Sequence, residues 1–208
     1  MRPAFRVLFV TLIGGVLAIS PGLAQITEVQ HASEKLDITA FAVNMSNIGP
    51  GTTATVEIRI DSWSSESERQ HLITTMVDKG NDQLLRELQK TKSHGRFSIP
   101  GWRGPDPHQM RLGHDLHYAH QVVDADGGRR IVIATDRYIG FWEARNQPRT
   151  TDYPFTLFEI HVNKDGKGQG KMAVATRITF DKKKNTVELE NYASEPVRLN
   201  EVTLKVRK

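Results

Sequence analysis

The sequence predicts an α+β fold: mostly an antiparallel β meander, barrel- or sandwich-like, with one inserted αα-hairpin. Three observations predict it. Apolar and polar residues alternate with a period of two along most of the chain. Turn-forming residues punctuate these runs at near-regular spacing. The period switches to a helical one just once, between about residues 65 and 92.

In the first segment, 36–45, Leu36, Ile38, Ala40 and Ala42 share one face. Asn47, Gly49, Pro50 and Gly51 then break the chain. In 54–60, Val56, Ile58 and Ile60 alternate with Thr55, Glu57 and Arg59, the pattern of a half-buried strand. Ser65 followed by Glu68 reads as a capping box, in which the serine accepts from a backbone N–H and the glutamate reaches back. Behind it Leu72, Ile73, Met76 and Val77 recur at helical spacing. Gly80 is a stop and Asn81 a second start. Leu84, Leu85 and Leu88 form a further stripe before Ser93, His94 and Gly95. Each helix is too short to hold alone, so the stripes are expected to face the sheet.

From Gly95 the chain reads as seven strands: 96–99, 115–123, 130–137, 154–162, 171–180, 186–192 and 197–206. Hairpin chemistry joins several of them. It lies at Asp126, Gly127 and Gly128, then at Lys164, Asp165 and Gly166 with Gly168 and Gly170, and then at 181–185. The whole chain then holds about nine strands, a sandwich or an up-and-down barrel. In such a meander every second connection lies at the same end. The two long connections, 101–113 and 138–153, are therefore expected to meet opposite the tight turns, joined by the lysine turn at 181–185. Long loops on a rigid scaffold are where function tends to sit.

The first 24 residues read as a signal peptide. Arg2 and Arg6 precede an apolar run from Val7 to Ile19, and Gly22, Leu23 and Ala24 offer a cleavage site. The run is shorter than the roughly 20 residues that span a bilayer, so no integral membrane segment is expected after cleavage. Removing 24 of 208 residues leaves 208 − 24 = 184, read as a single β-rich domain over 25–208. The chain has no cysteine, so no disulfide holds it and no thiol chemistry is open to it. A net charge of +4 falls to near +2 when Arg2 and Arg6 leave. The remaining basic residues are dispersed apart from Lys182, Lys183 and Lys184 and the tail, which argues against a nucleic-acid partner.

The two long loops are chemically rich. The first carries Trp102, Arg103, Asp106, His108 and Arg111. The second carries Phe141, Trp142, Glu143, Arg145, Asn146, Arg149, Asp152 and Tyr153. Indole rings beside guanidinium and carboxylate groups make a ligand mouth, with Trp102, Arg103, Trp142, Glu143, Arg145 and Arg149 as the binding residues. The competing reading has Trp142 closing the barrel end above an ion pair of Glu143. His114, His117 and His120 are spaced by three. On a regular strand His117 points away from the other two, which lie about 20 Å apart, so they hold no common metal. Only His108 and His114, with Asp106, are placed to gather at the loop end. No metal or cofactor is expected. Nucleophile-elbow, zinc-protease, P-loop and dinucleotide motifs do not occur.

The stretch from Ile139 through Trp142 to Pro148, with Tyr153, Pro154 and Phe155 and later Glu190, Asn191 and Tyr192, resembles a group of small exported bacterial proteins of unknown function. The resemblance implies export and no particular chemistry. The expected function is that of a soluble periplasmic or secreted protein binding a small molecule or a protein at its loop end. Two alternatives stand beside it. One is a hydrolase using loop carboxylates such as Asp106 and Glu143 with His108 or His114. The other is a structural or interaction module of the envelope.

Overall fold

A computed structural model describes residues 33–43, 53–101, 113–137, 139, 156–174, 177–181, 186–190 and 197–207. Residues 32–208 form one compact unit. Its strands are β1 (Lys35–Val43), β2 (Thr53–Ile60), β3 (Gly95–Ser98), β4 (His114–Val123), β5 (Arg129–Thr135), β6 (Thr156–Val162), β7 (Lys167–Val174), β8 (Arg177–Asp181), β9 (Thr186–Glu190) and β10 (Val197–Arg207). Two helices, α1 (Glu66–Lys79) and α2 (Asn81–Lys90), separate β2 from β3. Eight strands close into an antiparallel barrel in the order β1, β2, β3, β4, β5, β6, β7, β10, and β10 pairs back onto β1. The β-dominant, barrel-like part of the expected fold is thus what the chain forms.

The alternation explains the closure. Along β1, Leu36, Ile38, Ala40 and Ala42 are buried while Lys35, Asp37, Thr39 and Phe41 are exposed. The same pattern in β2, β5 and β6 lets the strands share one apolar interior. Phe97 and Phe158 meet in that interior with ring centroids 5.1 Å apart. Charged residues such as Lys35, Asp37, Glu57 and Arg59 face outward. An apolar inside and a charged outside are the reverse of a lipid-facing barrel. Among the described residues no helix is long and apolar enough to cross a membrane.

Two sequence expectations need correction. The segment 171–180 is not one strand, because β7 ends at Val174 and β8 starts at Arg177. β8 and β9 pair only with each other, as a separate two-stranded sheet. The strands therefore number ten among the described residues, and the lysine turn closes the β8–β9 pair instead of joining two barrel strands. Gly168 and Gly170 also belong to β7 itself, not to the turn before it. A Cβ on Gly168 would sit 1.8 Å from the carbonyl oxygen of His161, and one on Gly170 would sit 2.7 Å from that of Glu159. Close backbone approach across the β6–β7 ladder, not turn conformation, requires these glycines.

The two helices follow from local signals. Ser65 Oγ accepts from the Glu68 N–H, and Glu68 Oε2 accepts from the Ser65 N–H at 2.7 Å, completing the capping box. Gly80, at φ +79°, ends α1 and starts α2, a conformation that L side chains rarely adopt. Leu72, Met76, Leu84 and Leu88 pack on Ala134 of β5 and Leu157 of β6, with Leu85 and Tyr118 beside them. The helices thus cover the outer wall of the barrel. Beyond the start of short β3, Ser64 takes over the edge of β4. Its N–H donates to the Ala119 carbonyl at 2.8 Å, and its Oγ accepts from the Ala119 N–H at 3.2 Å.

Candidate functional site

The register decides which connections share an end. β1 ends, β2 starts, β3 ends, β4 starts, β5 ends, β6 starts, β7 ends and β10 starts at one rim. The segments 44–52, 99–113, 136–155 and 175–196 therefore all leave the barrel from that rim, here called the loop end. The opposite rim, the turn end, carries the turns at 124–128 and 163–166, the helical connection and both outer ends of the β1–β10 pair. Strand direction thus puts the roots of the two long loops at the same end. Trp102, Arg103, Trp142, Glu143, Arg145 and Arg149 all lie outside the described residues, as do Asp106 and His108.

What can be built is the floor beneath those loops. In the β1–β2 register the inner pairs run Leu36 with Ile60, Ile38 with Ile58, Ala40 with Val56 and Ala42 with Ala54. Along these two strands side-chain bulk falls step by step from the turn end to the loop end. Polar groups appear at the same level. His114, opposite Phe97, is buried on the inward parity of β4. Thr135 and Thr156 are both fully buried at the loop-end tips of β5 and β6.

These two threonines anchor the root of the second loop. Thr135 Oγ1 donates to the Arg137 carbonyl at 2.7 Å and accepts from the Thr156 N–H at 3.1 Å. Thr156 Oγ1 accepts from the Ile139 N–H at 2.9 Å. Ile139 is fully buried and joins the interior cluster. The loop thus begins by turning inward over the rim, and its aliphatic plug comes from Ile139.

The histidine reading needs correction. A β-bulge between Leu116 and Tyr118 resets the alternation of β4. Leu116 and Ala119 both face the interior as a result. His114 and His120 therefore lie on opposite faces, not the same one. His120 is on the outer wall, stacked on Tyr118 with ring centroids 6.3 Å apart. His117 sits at the bulge. Its Nδ1 donates to the Thr91 carbonyl at 2.8 Å, and its Nε2 lies 3.5 Å from Asp136 Oδ1.

Three features escaped the sequence reading. Trp63 packs on the interior cluster, and its Nε1 donates to the Glu34 carbonyl at 2.8 Å, closing the turn end. His94 is fully buried, with Nδ1 3.0 Å from Ser62 Oγ. Glu159 gathers Arg130, His161 and Lys171 on the outer wall at 2.8–3.1 Å. Burial opposes the Glu159 charge, but hydrogen bonds from Lys171 and His161 outweigh it and hold the carboxyl down to about 2. Lone tryptophans, serines and carboxylates in such segments carry no local signal, because their partners come from distant strands.

Comparison with protein-family models, characterised proteins and solved structures found no match to this chain.

Proposed function

We propose that this is an exported, soluble binding protein that takes a small ligand at the loop end of its barrel. Cleavage of the first 24 residues and release into the periplasm or medium belong to this reading, as does kinship with small exported bacterial proteins. The observation that carries it is the make-up of the loop-end rim. On β1 and β2 the inner rows shrink from Leu36 and Ile60 to Ala42 and Ala54 toward the rim from which the segments 44–52, 99–113, 136–155 and 175–196 depart. Buried His114, Thr135 and Thr156 at that rim, beside Phe97, Phe158 and Ile139, offer an apolar floor and few polar groups, the usual make-up of a small-molecule site. Trp102, Arg103, Trp142, Glu143, Arg145 and Arg149 then form its roof, and α1 with α2 form a helical hairpin that braces the wall.

Native mass spectrometry of the mature protein, purified from its own source, tests this directly. A retained organic mass that disappears in Trp142→Ala and Arg145→Ala is the expected result. A mature chain with no bound mass, showing no thermal shift with any small-molecule fraction of its source, overturns it.

A further inference from the structure

The seam between α1 and the barrel wall holds two histidines with no role in ligand binding. His94 is fully buried, and its Nε2 has no hydrogen-bond partner among the described residues. The nearest acid is Glu68 Oε1, 4.0 Å away on the first turns of α1. Glu68 is not free to swing across, because its Oε2 accepts from the Ser65 N–H and from Ser65 Oγ in the capping box. His120 lies on the outer wall against Tyr118 and feels the charges of Arg69 and Glu66 on the first turn of α1. Arg69 is itself paired with Glu66 at 2.9 Å.

We propose that α1 is an acid-released latch: protonation of His94 and His120, beneath its first two turns, frees the helix from the barrel wall. A charged His94 has two ways to satisfy its second N–H. It draws Glu68 out of the capping box, or it opens the seam to water. Either one loosens the start of α1. A charged His120 is repelled by Arg69. The other groups facing His94 are Lys92 and His117, and both oppose a further positive charge there. The contacts of His117 with Thr91 and Asp136 tether the end of α2. Release therefore starts at α1 and not at the α2–β3 connection.

The linkage has a definite sign. Burial holds both rings below the ordinary histidine range; Glu68 partly offsets this at His94, and Arg69 adds to it at His120. The open seam then binds more protons than the closed one. Closure is fully stable above about pH 6.5 and weakens as the pH falls through that value toward the lowered ones. What opens is the apolar stripe of Leu72 and Met76, packed with Ala134 and Leu157.

Amide hydrogen exchange at pH 7.5 and pH 5, corrected for intrinsic rates, reads this out on the whole mature chain. The expected result is roughly a tenfold or greater rise in opening over 66–79 at pH 5, with β5 and β6 unchanged. In the His94→Gln, His120→Gln double variant the rise shrinks to about twofold or less. Ring titrations of His94 and His120 by NMR in the unaltered protein provide a second check should the variant not fold. Their midpoints must coincide with the opening of α1. A rise spread evenly over the barrel, one that persists in the double variant, or midpoints displaced from the opening would overturn the proposal.

Discussion

At the turn end two connections reverse within a few residues and bond to themselves, and the third is the helical one. The Asp124 N–H donates to the Gly128 carbonyl and the Asn163 N–H to the Lys167 carbonyl, both at 2.8 Å. Trp63 seals the interior, Arg129 pairs with Glu34, and Arg207 reaches Asp37, Asp61 and the Ile60 carbonyl. At the loop end alanine, threonine and histidine join Phe97 and Ile139 in the interior, and four long segments leave the rim. The contrast teaches how a small barrel without disulfides divides its labour. Short bonded turns and a tryptophan seal fix one end, while the other end hands the chain to long segments rooted on a few buried hydroxyls.

The sharpest way to break this comparison is to delete one tryptophan at each end. Trp63→Ala removes the seal of the turn end and is expected to cost about 3 kcal/mol in denaturant unfolding. Trp142→Ala is expected to cost less than about 1 kcal/mol and to cost ligand instead. Equal losses of stability would mean that both ends are structural closures.

A smaller effect is expected midway, at the outer belt around Glu159. Its carboxyl is held down to about 2 in the folded chain, so its contribution is present above the unfolded value near 4.5 and is lost as the pH falls toward 2. Glu159→Gln should cost about 1–2 kcal/mol at pH 7, a figure kept low because its partners are partly exposed. The cost should vanish only once the pH has fallen below about 2. A pH-independent difference between the two proteins would refute the ion-pair account.

The smallest effect is a gain. Glu201 adopts φ 52° at the bulge of β10, where register slips between Leu199 and Val202. A glutamate in left-handed backbone costs about 1 kcal/mol, so Glu201→Asn should raise stability by about 0.5 kcal/mol. A loss instead would show that the Glu201 side chain makes a contact worth more than the strain.

Much of the scaffold was legible because its signals are local. Ser65, Glu68 and Gly80 spell out the boundaries of α1, and Val56, Ile58 and Ile60 spell out a strand. Gly168 and Gly170 misled, because a glycine in a turn and a glycine beneath a neighbouring backbone look alike in one dimension. His114, His117 and His120 misled for a related reason, since a bulge changes parity without changing residue type. Trp63 and His94 went unseen because their meaning lies in Glu34 and Glu68, brought near only by folding.

By itself the sequence determined the β-rich class, nearly every strand, both helices and the shared end of the two long loops. Alternation, capping and turn chemistry are properties of neighbouring residues, so a linear reading reaches them. Only the tertiary structure decided that the sheet closes through β10 onto β1, that β8 and β9 stand apart, and that His94 and His120 lie under α1. Each of these depends on pairing between residues far apart in the chain, where register and bulges, not composition, choose the partner.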